Sequence, residues 1–275
     1  MTFDAWRSAV GGQWQRLLVY PGGVAALALV ALGWLAWRVV VGRDQPRSVA
    51  ITWRGSDVLA LACPLVVLAL LPLAGGVELR SPLDVPTTWL LLDLPLVLVI
   101  AHGWRDAAQT QVVASRMLAG WLVGLPLLAL LLLALGTTTG GITVANVAQL
   151  AAAKPLGWMT LIGWFVALLP ALQLGPWSGT TRPVERLALA LRRLGHLSLL
   201  VLALLPLWPK TDPKASGWWA AVQRDGRVPT LLVLAGLWLA VLVTHRLSRP
   251  HSSVILGRAV WLLGAGLLGY LAMRA

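Results

Sequence analysis

The chain has 275 residues, of which 58% are hydrophobic and only 12% are charged, and its mean hydropathy is +0.79. Soluble globular domains carry about a quarter charged residues, so this composition excludes an ordinary soluble protein. No soluble basic domain accompanies the net charge of +12, which we therefore interpret as membrane topology and attraction to anionic lipids or an acidic partner subunit, not as nucleic-acid binding.

Residues 1–21, which include Trp6 and Trp14, are predicted to form a short segment at the membrane interface. They show no apolar core followed by the cleavage site of a signal peptide. Residues 22–275 predict a single integral membrane domain. A hydrocarbon core about 30 Å thick needs about 20 apolar residues per helix. The fold class expected is an all-α, polytopic membrane helix bundle with about eight transmembrane helices, at 22–41, 57–76, 88–104, 117–136, 156–175, 187–208, 229–247 and 254–273.

The orientation is indicated by the distribution of Lys and Arg. Loops one, three, five and seven, with the residues that adjoin them, carry more of these cations than the opposite side, which favours them as cytoplasmic. The N-terminus is then non-cytoplasmic. The membrane expected is a bacterial-type inner (cytoplasmic) membrane, crossed several times.

The spacing of Cys, His, Ser and acidic residues matches no familiar catalytic or metal-binding motif. Cys63 is the single cysteine and lies in the second predicted span, so this chain alone builds no disulfide or iron–sulfur site. The four histidines lack metal-ligand spacing, and no Ser/His/Asp set has an evident scaffold. We therefore predict no catalytic residue, no metal and no directly bound cofactor.

Polar residues at membrane depth are the informative ones, because charge there is costly and is usually kept for a pathway or a partner. Asp93 is either a proton-carrying carboxylate, or an interfacial residue, or the partner of an Arg, or a group that satisfies backbone freed by Pro95. Arg192, Arg193 and His196 fall within about one helical turn. They form the wall of a cavity or, as we expect, reach the cytoplasmic surface.

The polar stretch "GWRDAAQTQVVASRM" (103–117) is predicted to be the turn between spans three and four, on the Arg-rich side. Together with the apolar run after it, "RDAAQTQVVASRMLAGWLVGLPLLALLLLALGTTTGGITVANVAQ" (105–149) resembles a segment of subunit 1, the H subunit, of proton-translocating NADH–quinone oxidoreductase (complex I), a family that includes the membrane subunit of energy-converting hydrogenases. The segments 57–76, 164–177 and 239–268 resemble other spans of that family, in the matching order.

The departures from the family's pattern concern mainly its charged residues. Ala171, Leu174 and Ser178 stand where the family's loop after the fifth span has Glu, Arg and Asp. Glu185 is the sole carboxylate of the stretch after the fifth span, and Ala114 replaces a Glu that the family has soon after its Ala-Ala-Gln motif. The loop between spans one and two, long in the family, is shortened here to "GRDQPRSVAITWRGS". The resemblance thus implies a relative that has lost its acidic proton path and much of its quinone chamber.

The resulting hypothesis is a membrane-embedded subunit of a respiratory or hydrogenase-type oxidoreductase complex. Its partners would be other membrane subunits, a peripheral redox module and lipids, with a bound quinone possible. The candidates for a remaining proton path are Asp93, Asp106 and Glu185, and the candidates for partner docking are Arg105, Asp106, Arg116, Arg182 and Arg186. The alternative is a small-solute or ion permease unrelated to complex I, although the sequence shows no clear internal repeat.

Overall fold

The computed structural model describes residues 23–41, 53–71, 83–105, 108–152 and 182–204, together with 230, 232 and 234–236. The predicted interfacial segment 1–21 and the spans at 156–175 and 254–273 lie outside these residues. The described part is helical: α1 (Gly23–Val41), α2 (Gly55–Leu70), α3 (Val85–Arg105), α4 (Ala108–Thr139), a 3₁₀ helix (Val144–Ala152) and α5 (Pro183–Leu204). Within it, extended pairing is limited to an isolated antiparallel bridge between Asp84 and Thr143.

Local sequence explains the helix ends. Asp57 accepts a hydrogen bond from the Arg54 backbone N–H at 2.7 Å, and Asp84 accepts one from the Thr87 N–H at 2.6 Å, so a carboxylate supports the first turns of α2 and α3. Helix α2 ends where Leu71 becomes extended before a proline. Gly140, with φ of +66°, follows the end of α4, and α5 begins with a proline, the residue best suited to a first helical position.

Two described helices contain a segment that is long and apolar enough to cross a membrane: Val85–His102 in α3 and Met117–Thr137 in α4. The apolar helices Gly23–Leu35 and Gly55–Leu70 are shorter. The all-α class is confirmed for the described residues, whereas the count of eight spans stays a prediction.

Helix α4 is longer than the predicted span 117–136. It begins at Ala108, so most of the stretch predicted as a turn is helical, with Gln111, Val112 and Ser115 exposed. The prediction of a turn over the whole of 103–117 is wrong, because hydropathy marks the part of a helix suited to lipid and not the part that is helical.

Helix α5 occupies the centre of the described bundle. It contacts α1, α2, α3 and the 3₁₀ helix, and every residue from 188 to 203 is buried. Its apolar side chains form the main core with residues of the other helices, among them Leu68, Leu92, Leu131 and Leu150. A helix surrounded in this way buries its polar residues as well as its leucines.

Gly195 allows α5 to approach α3 closely. A Cβ built on Gly195 would overlap the side chain of Leu92, which is itself fully buried. The neighbouring positions on the two helices, Asp93 and His196, are then close enough to make contact.

We expect Gly195→Ala to lower the free energy of unfolding by about 1–3 kcal/mol, because an added methyl group in a close-packed core forces neighbouring side chains to shift. Thermal unfolding of the detergent-solubilised protein, followed by Trp fluorescence, measures the loss. The matched control is Gly136→Ala on α4, where the new Cβ has nothing within 4 Å. Equal stability of the two variants would contradict the close contact between α3 and α5.

Candidate functional site

The described helices carry two groups of interacting polar side chains, one in the middle of the bundle and one at an end. The central cluster consists of Asp93 on α3, Trp121 on α4, and Arg192 and His196 on α5. The end cluster consists of Ser56 and Asp57 on α2, His102 on α3, and Arg182 and Glu185 at the start of α5. With a rise of about 1.5 Å per residue, Asp93 and His102 are separated by about 13 Å along α3.

Asp93 is the hub of the central cluster. Its Oδ1 accepts a hydrogen bond from Arg192 Nε at 2.7 Å and contacts His196 Nε2 at 3.0 Å. Its Oδ2 accepts a hydrogen bond from Trp121 Nε1 at 2.8 Å. The side chains of Asp93 and Arg192 are each 3% exposed, so this is a fully buried ion pair within a cluster that joins three helices.

His196 adds an aromatic contact to the same cluster. Its ring meets the Trp89 ring edge to face, with centroids 4.5 Å apart and planes at 70°. The Nδ1 atom of His196 is buried and has no hydrogen-bond partner among the described residues. The adjacent Arg193 is buried too, which puts a second guanidinium in the middle of the bundle.

These contacts decide between the alternative roles that the sequence left open for Asp93 and for Arg192, Arg193 and His196. Asp93 is the partner of an Arg, as one of those alternatives had it. The expectation that Arg192, Arg193 and His196 reach the surface is wrong, because α5 is enclosed by other helices and all three residues are buried.

Arg182 organises the end cluster. Its Nη2 donates to Asp57 Oδ2 at 2.7 Å and its Nη1 to Asp57 Oδ1 at 3.2 Å, a two-point pairing that fixes the planes of both groups. Nη1 also donates to Glu185 Oε1 at 2.8 Å. The hydrogen bonds to Asp57 and Glu185 outweigh burial and raise the pKa of Arg182 above its ordinary value, so it stays charged at any physiological pH.

Within the end cluster, His102 lies between the hydroxyl group of Ser56 and the carboxylate of Glu185. Its Nε2 lies 3.3 Å from Ser56 Oγ, and its Nδ1 lies 3.6 Å from Glu185 Oε1. No sequence pattern indicated this set, because its members are far apart in the chain and match no known motif. Their side chains are brought together only by the packing of α2, α3 and α5.

The remaining predicted residues are spread over several elements. Glu185 belongs to the end cluster and Asp106 lies outside the described residues. Arg105 is the last residue of α3, Arg116 lies on α4 and Arg186 is half-buried on α5. The docking role of all five candidates stays a prediction, although the guanidinium of Arg182 is already bound within the chain.

Ala114 shows what surrounds the position where the resemblance places a Glu. It is buried in a small apolar cluster with Leu96, Val99, Met117 and Leu189. A carboxylate there would lose its hydration without a charged partner in that cluster, which is costly. The apolar surroundings therefore suit the alanine.

We expect Asp93→Asn to destabilise the protein by about 3–5 kcal/mol, because it leaves the Arg192 guanidinium buried without its counter-ion. Replacing both residues with apolar ones, Asp93→Leu with Arg192→Met, should recover most of the lost stability. The double variant removes both charges of the pair, so neither is left buried without its partner. The midpoint of thermal unfolding in detergent reports both effects. A double variant that is as unstable as the single one would contradict the ion-pair interpretation.

Comparison with known proteins gave two findings. No model of a protein family matches the chain, and no curated protein sequence matches it. The relation to subunit 1 of NADH–quinone oxidoreductase therefore rests on the similarity of residues 57–76, 105–149, 164–177 and 239–268, and stays a resemblance.

Proposed function

We propose that this chain is a multi-pass subunit of a bacterial-type cytoplasmic membrane, with about eight spans, which anchors the peripheral redox module of a respiratory or hydrogenase-type oxidoreductase. The observation that supports a rigid scaffold in this role is the buried Asp93–Arg192 pair, which joins α3 to α5 inside the bundle. The oxidoreductase class is supported by the sequence resemblance alone.

Membrane embedding is supported by the surface of the described helices as well as by their length. Large apolar side chains are exposed on α1, α2, α3 and α4, among them Leu32, Leu59, Leu90 and Leu122. In water such surfaces favour association, whereas lipid or a neighbouring subunit covers them at no cost.

A scaffold role fits Asp93 better than a proton-carrying role does. The carboxylate contacts a guanidinium, an imidazole and an indole at hydrogen-bond distance, so both of its oxygens are engaged. A proton carrier has to exchange partners as it loads and unloads. Exchange here would break the contacts of Asp93 with both α4 and α5.

The start of α4 supplies a surface for a peripheral partner. The residues from Ala108 to Arg116 extend the helix beyond its apolar segment Met117–Thr137. Gln111 and Ser115 are exposed on this extension. We assign the docking of a peripheral partner to this extension, and the predicted candidates Arg105, Asp106, Arg116, Arg182 and Arg186 are the residues proposed to take part.

A second function is favoured by His196. Its Nδ1 is buried and has no hydrogen-bond partner within the described ranges, and it lies in the same cluster as Asp93. The end cluster adds Glu185 and His102 on the same two helices. Such an arrangement is typical of residues that move protons within a membrane. In this version the subunit still couples electron transfer to proton movement, with a quinone bound by the assembled complex.

The anchoring role predicts co-purification. The tagged chain, extracted from its native membrane in mild detergent, should bring other membrane subunits and a peripheral redox subunit, identified by mass spectrometry. Arg105→Glu with Arg116→Glu should lower recovery of the peripheral subunit about tenfold, which corresponds to about 1.4 kcal/mol. Arg80→Glu, on the opposite side of the predicted topology, is the control. Recovery of the chain alone would contradict the proposal and favour the permease.

The coupling role predicts a different phenotype. His196→Gln should abolish proton translocation by the assembled complex in vesicles while electron transfer continues, because glutamine retains hydrogen bonding but does not carry a proton. Translocation is followed with a pH-sensitive dye and electron transfer by donor oxidation. Unchanged translocation would leave the subunit as an anchor only.

A further inference from the structure

The end cluster places a serine, a histidine and a glutamate in one line of contacts. Ser56 Oγ faces His102 Nε2 at 3.3 Å, and Glu185 Oε1 faces the other ring nitrogen at 3.6 Å. We propose that Ser56 is a nucleophile activated by His102 and Glu185, and that it cleaves acyl esters of lipids at this end of the bundle. This activity goes beyond the anchoring role and does not depend on it.

The order of the contacts matters more than the presence of the three residues. A general base must receive the serine proton on one nitrogen while the opposite nitrogen is held by an acid. With its proton on Nδ1, facing Glu185, His102 presents the Nε2 lone pair to Ser56. His102 Nδ1 is buried and has no hydrogen-bond partner among the described residues, so Glu185 lies at ion-pair distance from it and not at hydrogen-bond distance. Catalytic contacts are commonly long before substrate binds and shorten in the complex.

The remaining members of the cluster hold this arrangement in place. Arg182 donates to Glu185 Oε1 and, through both terminal nitrogens, to Asp57. Asp57 in turn accepts from the Arg54 N–H. The start of α2, which carries Ser56, is thereby tied to the start of α5, which carries Glu185.

Ser56 lies in the first turn of α2, directly after Gly55. The first N–H groups of a helix have no acceptor within it and carry the positive end of the helix dipole. Groups of this kind stabilise the oxyanion that forms when a hydroxyl group attacks a carbonyl. The small Gly55 leaves open space at the backbone beside the serine.

Accessibility and the neighbouring indoles indicate the class of substrate. Ser56 and His102 are partly exposed, in contrast to the fully buried central cluster. Trp53 is 65% exposed and Trp104 is 49% exposed, and they lie close to Ser56 and His102 in the chain. Exposed indoles beside apolar helices are typical of the membrane–water interface, where lipid ester groups lie.

The reaction balances with water as the second substrate. Ser56 Oγ attacks the ester carbonyl while His102 Nε2 takes the hydroxyl proton. The C–O bond to the lipid alcohol breaks, and His102 returns the proton to that alcohol, which leaves an acyl group on Ser56. Water, deprotonated by His102, then releases the fatty acid and restores the serine.

The test uses the full-length chain in nanodiscs and a fluorophosphonate probe, which forms a covalent bond with an activated serine. We expect labelling of Ser56, located by mass spectrometry. His102→Gln should lower the labelling rate about 100-fold or more, as loss of a general base does. Glu185→Gln, which keeps a hydrogen-bonding group, should lower it less.

Ser115→Ala is the matched control, since Ser115 is an exposed serine whose hydroxyl donates to a carbonyl within its own helix. It should label like the parent chain, whereas Ser56→Ala should not label. Gel filtration and Trp fluorescence identify any variant that has failed to fold. Absence of labelling in the folded parent chain, or labelling of Ser56 that is unchanged in folded His102→Gln, would overturn the proposal and leave the cluster as a structural network.

Discussion

The buried ion pair between Asp93 and Arg192 is the constraint on which the rest of the described bundle depends. Two charges removed from water are stable only if each finds its partner with good geometry, and here one carboxylate oxygen receives the guanidinium at 2.7 Å. Apolar side chains alone allow one helix to slide along another, since a contact between two leucines can be replaced by a similar contact one turn away. A buried pair does not, so it fixes the register of α3 against α5.

The position of α5 depends on this pairing. A helix with two arginines and a histidine would be costly at the centre of an apolar bundle if those groups had no partners, yet all three are buried. His196 contacts Asp93 and Trp89, in addition to the pairing of Arg192. Gly195 lets α3 come close enough for these contacts, because a side chain there would meet Leu92.

The sequence predicted the helical class and the approximate bounds of α1 and α3, and it offered pairing with an Arg as one alternative for Asp93, because hydropathy and the cost of buried charge are local properties. It did not predict that Asp93 and Arg192 pair, since their contact spans 99 positions and no local pattern records it. Ser56 was missed for the same reason. The polar start of α4 was assigned to a turn because hydropathy measures suitability for lipid, whereas Ala108 already begins the helix.

The two polar clusters differ in what they permit. The central one is sealed, and its carboxylate is engaged on both oxygens, which suits a group that fixes helices in place. The end cluster is partly open, and its Glu185 oxygen accepts a hydrogen bond from Arg182 while it lies 3.6 Å from His102 Nδ1. The proposed chemistry therefore belongs at the open end, where Ser56 and His102 are partly exposed and a substrate has access. The sealed centre fixes the helices that carry these two residues.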